Sequence, residues 1–161
     1  MNVFEYAMKM EQDGEAYYRE LAASADNKGL ATILNFLADE EMQHYKIFQK
    51  MKDGKGSSLP ATTLLDNISN IFSAMKDEGE IFEFEKQQTE HYRKAQQLEK
   101  KSEEFYLKQA EETTSVHERK LLVQIANEEN RHFHILEGII EFIQRPQQWL
   151  ENAEWHHMEE Y

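Results

Sequence analysis

Apolar residues recur along this chain at intervals that alternate between three and four, the seam of a helix with one face packed into a bundle. Four long segments carry the pattern. The first covers about 2–25, with Phe4, Ala7, Met8, Tyr18, Leu21 and Ala25 on its seam. The second covers about 29–52, with Leu30, Ile33, Leu34, Leu37, Phe48 and Met51. The third covers about 89–112 (Tyr92, Ala95, Tyr106, Ala110), with Thr89 as its expected N-cap. The fourth covers about 115–144 (Leu122, Ile125, Leu136, Ile139, Ile143). The linkers "DNKG" and "ETTS" are short enough to force each pair antiparallel, and Pro146 stops the last helix.

Residues 53–88 join the two pairs. "DGKGSSLP" is loop by composition, and "TTLLDNISNIFSAMK" reads as a short amphipathic helix. "DEGEIFEFEKQQ" alternates like a strand in a very acidic setting, and the run through Glu90 is read as a solvated crossover. The expectation is an all-α, antiparallel four-helix bundle over 1–144, with a long crossover between its second and third helices. The segment 145–161, "RPQQWLENAEWHHMEEY", carries two Trp that need an apolar seat, so a short docked C-terminal helix is expected there.

The seam breaks where the core should be driest. Glu11, Glu41, His44, Glu99, Glu129 and His132 occupy positions that the periodicity assigns to the interior. They also repeat. A shift of 88 residues lays "AMKMEQDGEAYYRELA" on "AQQLEKKSEEFYLKQA", and the same shift, without a gap, lays Glu41 on Glu129 and His44 on His132. One register serving both segments is the signature of a duplicated helical hairpin.

An ionised group taken out of water costs on the order of several kcal/mol unless it is paired or coordinated. Four converging carboxylates also repel one another, so protons or cations must resolve the conflict. Two divalent metals would bring four positive charges against four Glu, with two neutral imidazoles as further ligands. Residues three apart share a helix face, so each Glu-x-x-His acts as a two-pronged ligand. One Glu from each of two helices plus two such pairs is the di-iron or di-manganese carboxylate arrangement.

Composition narrows the chemistry further. The 161 residues hold only six Gly and two Pro, as a helical protein should, and the formal net charge of −13 disfavours nucleic acid and anionic lipid as partners. No run reaches the ~20 apolar residues of a membrane span, and the N-terminus does not read as a signal peptide, so a cytoplasmic protein is the expectation. With no cysteine, a metal can be held only by carboxylate and imidazole. Iron is the first choice and manganese possible, since ligand type alone does not separate them.

"MEQDGEAYY", "LADEEMQH", "LEKKSEEFY" and "IANEENRH", one from each long segment, together with the "RPQQWLENAEW" tail, make the chain resemble the rubrerythrin-like branch of the ferritin-like superfamily over nearly its whole length. The resemblance implies a ferritin-like bundle with a non-haem site for two iron ions, commonly in a homodimer or larger assembly. It implies Glu11 and Glu99 as terminal carboxylates, Glu41 and Glu129 as bridging ones, and His44 and His132 on one iron each. Tyr18 and Tyr106 are similar to tyrosines that hydrogen-bond ligand carboxylates in that family, and with the four Glu they complete the candidate catalytic set.

Two departures bear on activity. Rubrerythrin proper carries a rubredoxin domain with four cysteines, and this chain has none, so electrons would come from an external donor such as rubredoxin. The family's additional Glu, one turn after the third-helix ligand, is replaced here by Ser102, and its first-helix counterpart is Gly14. Glu15 and Glu103 are left as the nearest substitutes for a ligand exchange. The function implied is a di-iron oxidoreductase that reduces hydrogen peroxide or reacts with dioxygen. The alternatives are ferroxidase or iron handling, catalase-like manganese chemistry, and a metal-stabilised structural or interaction module.

Other polar residues read more plainly. His91, His117 and His134 are expected on the surface, and adjacent His156 and His157 point apart on a helix. Glu40 and Glu128, four residues before the site histidines, could orient their Nδ1 atoms, but the preferred reading is solvent-facing helix charge.

Overall fold

The computed structural model describes residues 2–79, 82–84 and 88–152. Its helices are α1 (Val3–Ser24), α2 (Lys28–Lys52), α3 (Leu64–Glu78), α4 (Gln88–Glu112), α5 (Val116–Gln144) and α6 (Pro146–Glu151), and the described residues contain no strand. The chain is all-α. Helices α1, α2, α4 and α5 form the ferritin-like bundle, packed mainly as two hairpins, α1 with α2 and α4 with α5.

Local chemistry sets the ends. Asn2, Asn27 and Ser115 accept from the backbone N–H three residues on, at 2.8, 2.9 and 3.2 Å, satisfying donors that the first turn leaves open. At the α4–α5 turn, Arg119 donates to the carbonyls of Ala110 (3.1 Å) and Thr113 (2.8 Å), which closes off the end of α4. Thr89 is not the cap expected of it: α4 already includes Gln88. Pro146 opens α6 at a position where its missing N–H costs nothing, after α5 has ended at Gln144.

The crossover is less solvated than its acidity suggests. Phe82 is buried, Glu83 exposed and Phe84 half-buried, and both rings meet Phe142 edge-on at 5.6 and 5.4 Å. Phe72 of α3 joins Phe142 (5.4 Å) and Trp149 of α6 (5.8 Å) in the same aromatic group. Burial of each such ring stabilises by roughly 1.5–3 kcal/mol, enough to seat α3 and α6 on the end of the bundle. Gly29 lets α3 sit close, since a Cβ there would run into the end of the Met75 side chain and stand 3.0 Å from Ile71 Cγ2, and Met75 would have to shift. Trp155, His156 and His157 lie outside the described residues, as do 80–81 and 85–87 of the acidic run.

Two apolar clusters divide the interior. One gathers Leu30, Leu34, Leu37, Ile68, Phe72, Ile139 and Phe142 with their neighbours. The other gathers Ala7, Ile47, Phe48, Met51, Leu122 and Ile125. The polar seam residues form the layer between them, so dry packing on both sides holds charged groups away from water.

Candidate metal centre

All six seam residues project into that layer, each from the helix the periodicity assigned. Glu11 comes from α1, Glu41 and His44 from α2, Glu99 from α4, and Glu129 and His132 from α5. None is more than 4 % exposed. They fall into two groups whose ligand atoms all lie within 4.8 Å of one another: Glu11, Glu41, His44, Glu129, and Glu41, Glu99, Glu129, His132. Glu41 and Glu129 belong to both. The sharing follows from the fold, since α2 and α5 each bring a Glu one turn before a His to the centre of the layer.

The two imidazoles lie nearly parallel, their centroids 6.1 Å apart and their planes 16° from coplanar. Each turns Nδ1 inward. His44 Nδ1 is 2.8 Å from Glu129 Oε1 and 3.4 Å from Glu11 Oε2. His132 Nδ1 is 3.0 Å from Glu41 Oε1 and 3.4 Å from Glu99 Oε1. The outer nitrogens are held crosswise: His44 Nε2 lies 2.7 Å from Glu128 Oε1, and His132 Nε2 lies 2.7 Å from Glu40 Oε1. An ionised carboxylate only accepts, so Nε2 carries a hydrogen in either case, and Nδ1 is the nitrogen turned toward the cluster, open to a metal once its own proton is displaced.

Glu40 and Glu128 are thus site residues rather than the solvent-facing charges preferred from sequence; both are buried. Nor do they act on the histidine of their own helix, or through Nδ1. Four residues along a helix suggests an internal pair, but each carboxylate reaches across to the opposite hairpin. The tyrosines cross in the same way. Tyr18 donates to Glu99 Oε1 at 2.5 Å, and Tyr106 donates to Glu11 Oε1 at 2.7 Å.

Proton sharing is the means by which this layer tolerates its charge without a metal. Burial, followed by the charges of Glu11, Glu129 and Glu99, holds the Glu41 carboxyl well above its ordinary range, and burial with Glu11 and Glu99 does the same to Glu129. Burial alone would lower both imidazoles, yet Glu11 for His44 and Glu99 for His132, aided by hydrogen bonds, raise them well above theirs. Burial also works upward on Glu99, where the facing His132 overrides it and brings the carboxyl down to about 2. The same imidazole holds Glu40 below its ordinary value against the effect of burial. Tyr18 and Tyr106, raised by burial and by the adjacent carboxylates, remain phenols that donate.

The donor set fits a pair of metal ions. Glu11 Oε2 and Glu99 Oε2 are buried without a hydrogen-bond partner among the described residues, and the buried His44 Nδ1 and Glu129 Oε1 face each other at 2.8 Å. Buried carboxylate oxygens without a partner are rare in native interiors, and here they belong one to each of the two ligand groups. The backbone makes room as well: a Cβ at Gly14 would stand 3.0 Å from Glu41 Oε2.

The remaining candidates sort cleanly. Ser102 is buried at the place corresponding to Gly14 and offers no carboxylate. Glu15 pairs with Arg19 at 3.2 Å, within a cluster that includes Asp39, and neither it nor Glu103 belongs to either ligand group. His91 and His117 are exposed as expected, and His117 Nε2 donates to the Ser57 carbonyl at 2.9 Å; His134 is half-buried beside Phe133. No helix among the described residues is long and apolar enough to cross a membrane.

Compared with known proteins, the chain found no match among curated sequences or solved structures. The sequence model of the rubrerythrin family matches residues 2–140, which takes in every residue of the polar layer. By that match, the chain belongs to the rubrerythrin family.

Proposed function

We propose that this chain is a di-iron carboxylate protein that reduces hydrogen peroxide with electrons from a separate donor. The observation that supports it most is the pair of four-residue groups sharing Glu41 and Glu129, a geometry for two ions side by side. In this reading Glu41 and Glu129 would serve both ions, Glu11 and Glu99 would serve one each, and His44 and His132 would each offer Nδ1. When bound, a ferrous pair supplies the two electrons that cleavage of an O–O bond requires.

The chain's own residues do the rest. Glu40 and Glu128 fix both imidazoles with Nδ1 inward. Tyr18 and Tyr106 hold Oε1 of Glu99 and of Glu11, leaving Oε2 of each without a hydrogen-bond partner and free to coordinate. The apolar clusters keep bulk water out, so charge–charge interactions in the layer act more strongly than they would in water. The electrons would come from a rubredoxin-like protein, because these residues include no cysteine for a rubredoxin-type iron site. A homodimer is part of the proposal, and light scattering checks it.

The experiment begins with metal analysis of protein isolated without added metal, and iron at two per chain is expected. The anaerobic diferrous protein is then mixed with hydrogen peroxide and followed optically, and rubredoxin is added. Rapid oxidation followed by rereduction is the expected result. Diferrous protein inert to peroxide overturns it, and oxidation by dioxygen alone would move the assignment to ferroxidase or iron handling. Manganese as the resident metal would move it to catalase-like chemistry.

A further inference from the structure

The crosswise symmetry of the polar layer fails at one oxygen. Glu40 and Glu128 each spend one carboxylate oxygen on an imidazole Nε2, at the same 2.7 Å. The second oxygen of Glu40 also accepts a hydrogen bond, from the hydroxyl of Thr62. Thr62 belongs to the segment 53–63 that leads from α2 into α3, and its hydroxyl oxygen accepts in turn from the backbone N–H of Leu64 at 3.1 Å. Thr63, the N-cap of α3, makes no side-chain cap bond, so Thr62 supplies it instead. The hydroxyl is therefore fixed on both sides, by the start of a helix and by the carboxylate. Among the described residues no side chain does this for Glu128.

We propose that Thr62 is a positioning residue that makes the two metal positions unequal. By holding Glu40 it holds the ring of His132, and so favours the position formed by Glu41, Glu99, Glu129 and His132 over that formed by Glu11, Glu41, Glu129 and His44. The proposal rests on the metal-centre reading above. Its physical basis is pre-organisation: a ligand ring whose outer partner is already immobilised loses less freedom on binding. Outer partners of metal-bound histidines change metal affinity by about 10- to 100-fold. The hydroxyl also withdraws some charge from Glu40, which works in the opposite direction. The bond to Nε2 is nonetheless as short as its counterpart at Glu128, so the loss is small. Thr62 and Glu40 border a surface cavity of about 170 Å³, and a change of side chain at Thr62 can be accommodated there.

The test is a titration of metal-free protein with Co²⁺, read through its visible absorption. The expected wild-type curve has two steps separated by about tenfold. Thr62→Val should weaken the tighter step by about tenfold and leave the other in place, and Thr62→Ser should restore the separation. His44→Gln and His132→Gln assign the steps, since the effect of valine should persist in the first background and vanish in the second. Circular dichroism confirms folding, and Thr62→Ala removes the same hydroxyl if valine is not accommodated. Two equal steps in the wild type, a valine effect on both steps or on neither, or failure of serine to rescue overturns the role of Thr62 while leaving the metal centre intact. No binding of Co²⁺ at all would instead overturn the metal-centre reading.

Discussion

In the α1–α2 hairpin, Glu11, Tyr18, Glu40, Glu41 and His44 stand where Glu99, Tyr106, Glu128, Glu129 and His132 stand in the α4–α5 hairpin. Each makes the same kind of contact, reflected across the layer. One layer further out the likeness ends. Tyr6 stacks obliquely on Phe105, with centroids 4.8 Å apart, whereas at the corresponding places the Lys94 ammonium lies 5.9 Å from the centre of the Tyr17 ring. Gly14 has Ser102 as its counterpart, and among the described residues the crossover bonds to Glu40 but not to Glu128. The difference shows what each layer has to satisfy. Every inner polar atom needs its partner in a dry interior, and few substitutions provide one. The outer contacts are partly wet and need only fill space.

The harshest test of the equivalence removes a shared carboxylate. Glu41→Ala and Glu129→Ala should each lower affinity for both metals by more than about 100-fold, beyond what loss of an outer partner costs, and to a similar degree. Metal analysis and thermal melting with and without metal check it. A variant that retains two metals breaks the comparison at its centre.

Acidity comes next. The carboxyls of Glu41 and Glu129, raised in the fold, make it bind more protons than the unfolded chain from about pH 4.5 upward, and the raised His44 and His132 do so from about pH 6.5. Their stabilisation is complete in acid and is lost as pH rises through the folded values. Metal-free protein should therefore melt at lower temperature as pH increases above about 6, by up to about 1.4 kcal/mol per pH unit for each extra proton held. Glu99 and Glu40, lowered, contribute the reverse: their stabilisation is present above about pH 4.5, and that of Glu99 is lost as pH falls through about 2. With metal added the upper slope should change sign, because the ion displaces those protons. Melting curves across pH, with and without Mn²⁺, measure both slopes.

Tyr18→Phe and Tyr106→Phe should each cost about 1–3 kcal/mol of stability, since a buried carboxylate oxygen loses its donor. Equal losses in denaturant melts sharpen the comparison, and a large inequality limits it to the ligands. The smallest effects are expected at Gly14 and its counterpart Ser102. Gly14→Ala should add up to about 1 kcal/mol of helix stability while crowding Glu41, so that metal affinity falls as metal-free stability rises. Ser102→Ala should leave metal affinity nearly unchanged.

Much of this was legible in the residues. The three-four spacing gave the four long helices to within a residue or two, because an amphipathic seam is a property of the chain itself. The six polar interruptions and their common register marked the centre, because acids on an apolar seam need a reason to be there. What escaped was whatever depends on the neighbouring helix. Glu40 lies four residues from His44, and spacing alone suggested either solvent or its own histidine; only the packing of α2 against α5 turns it toward His132. Thr62 reads from sequence as the first residue of an amphipathic helix that in fact begins at Leu64, and nothing along the chain marks its hydroxyl as a partner for Glu40. Phe82 and Phe84 were hidden by the acids between and around them, and only the docking of α3 and α6 beside Phe142 gives those rings a place to go.

The crosswise bonding has a consequence for how such a molecule could arise. A lone α1–α2 hairpin owns three of the four ligands in the group around His44, yet lacks Glu129, an acceptor for the outer imidazole nitrogen, and a donor for Glu11. Another hairpin of the same design, turned by a half-rotation, supplies all three and receives the same in return. The unit is thus self-complementary, and two separate copies could have closed the site before any crossover joined them.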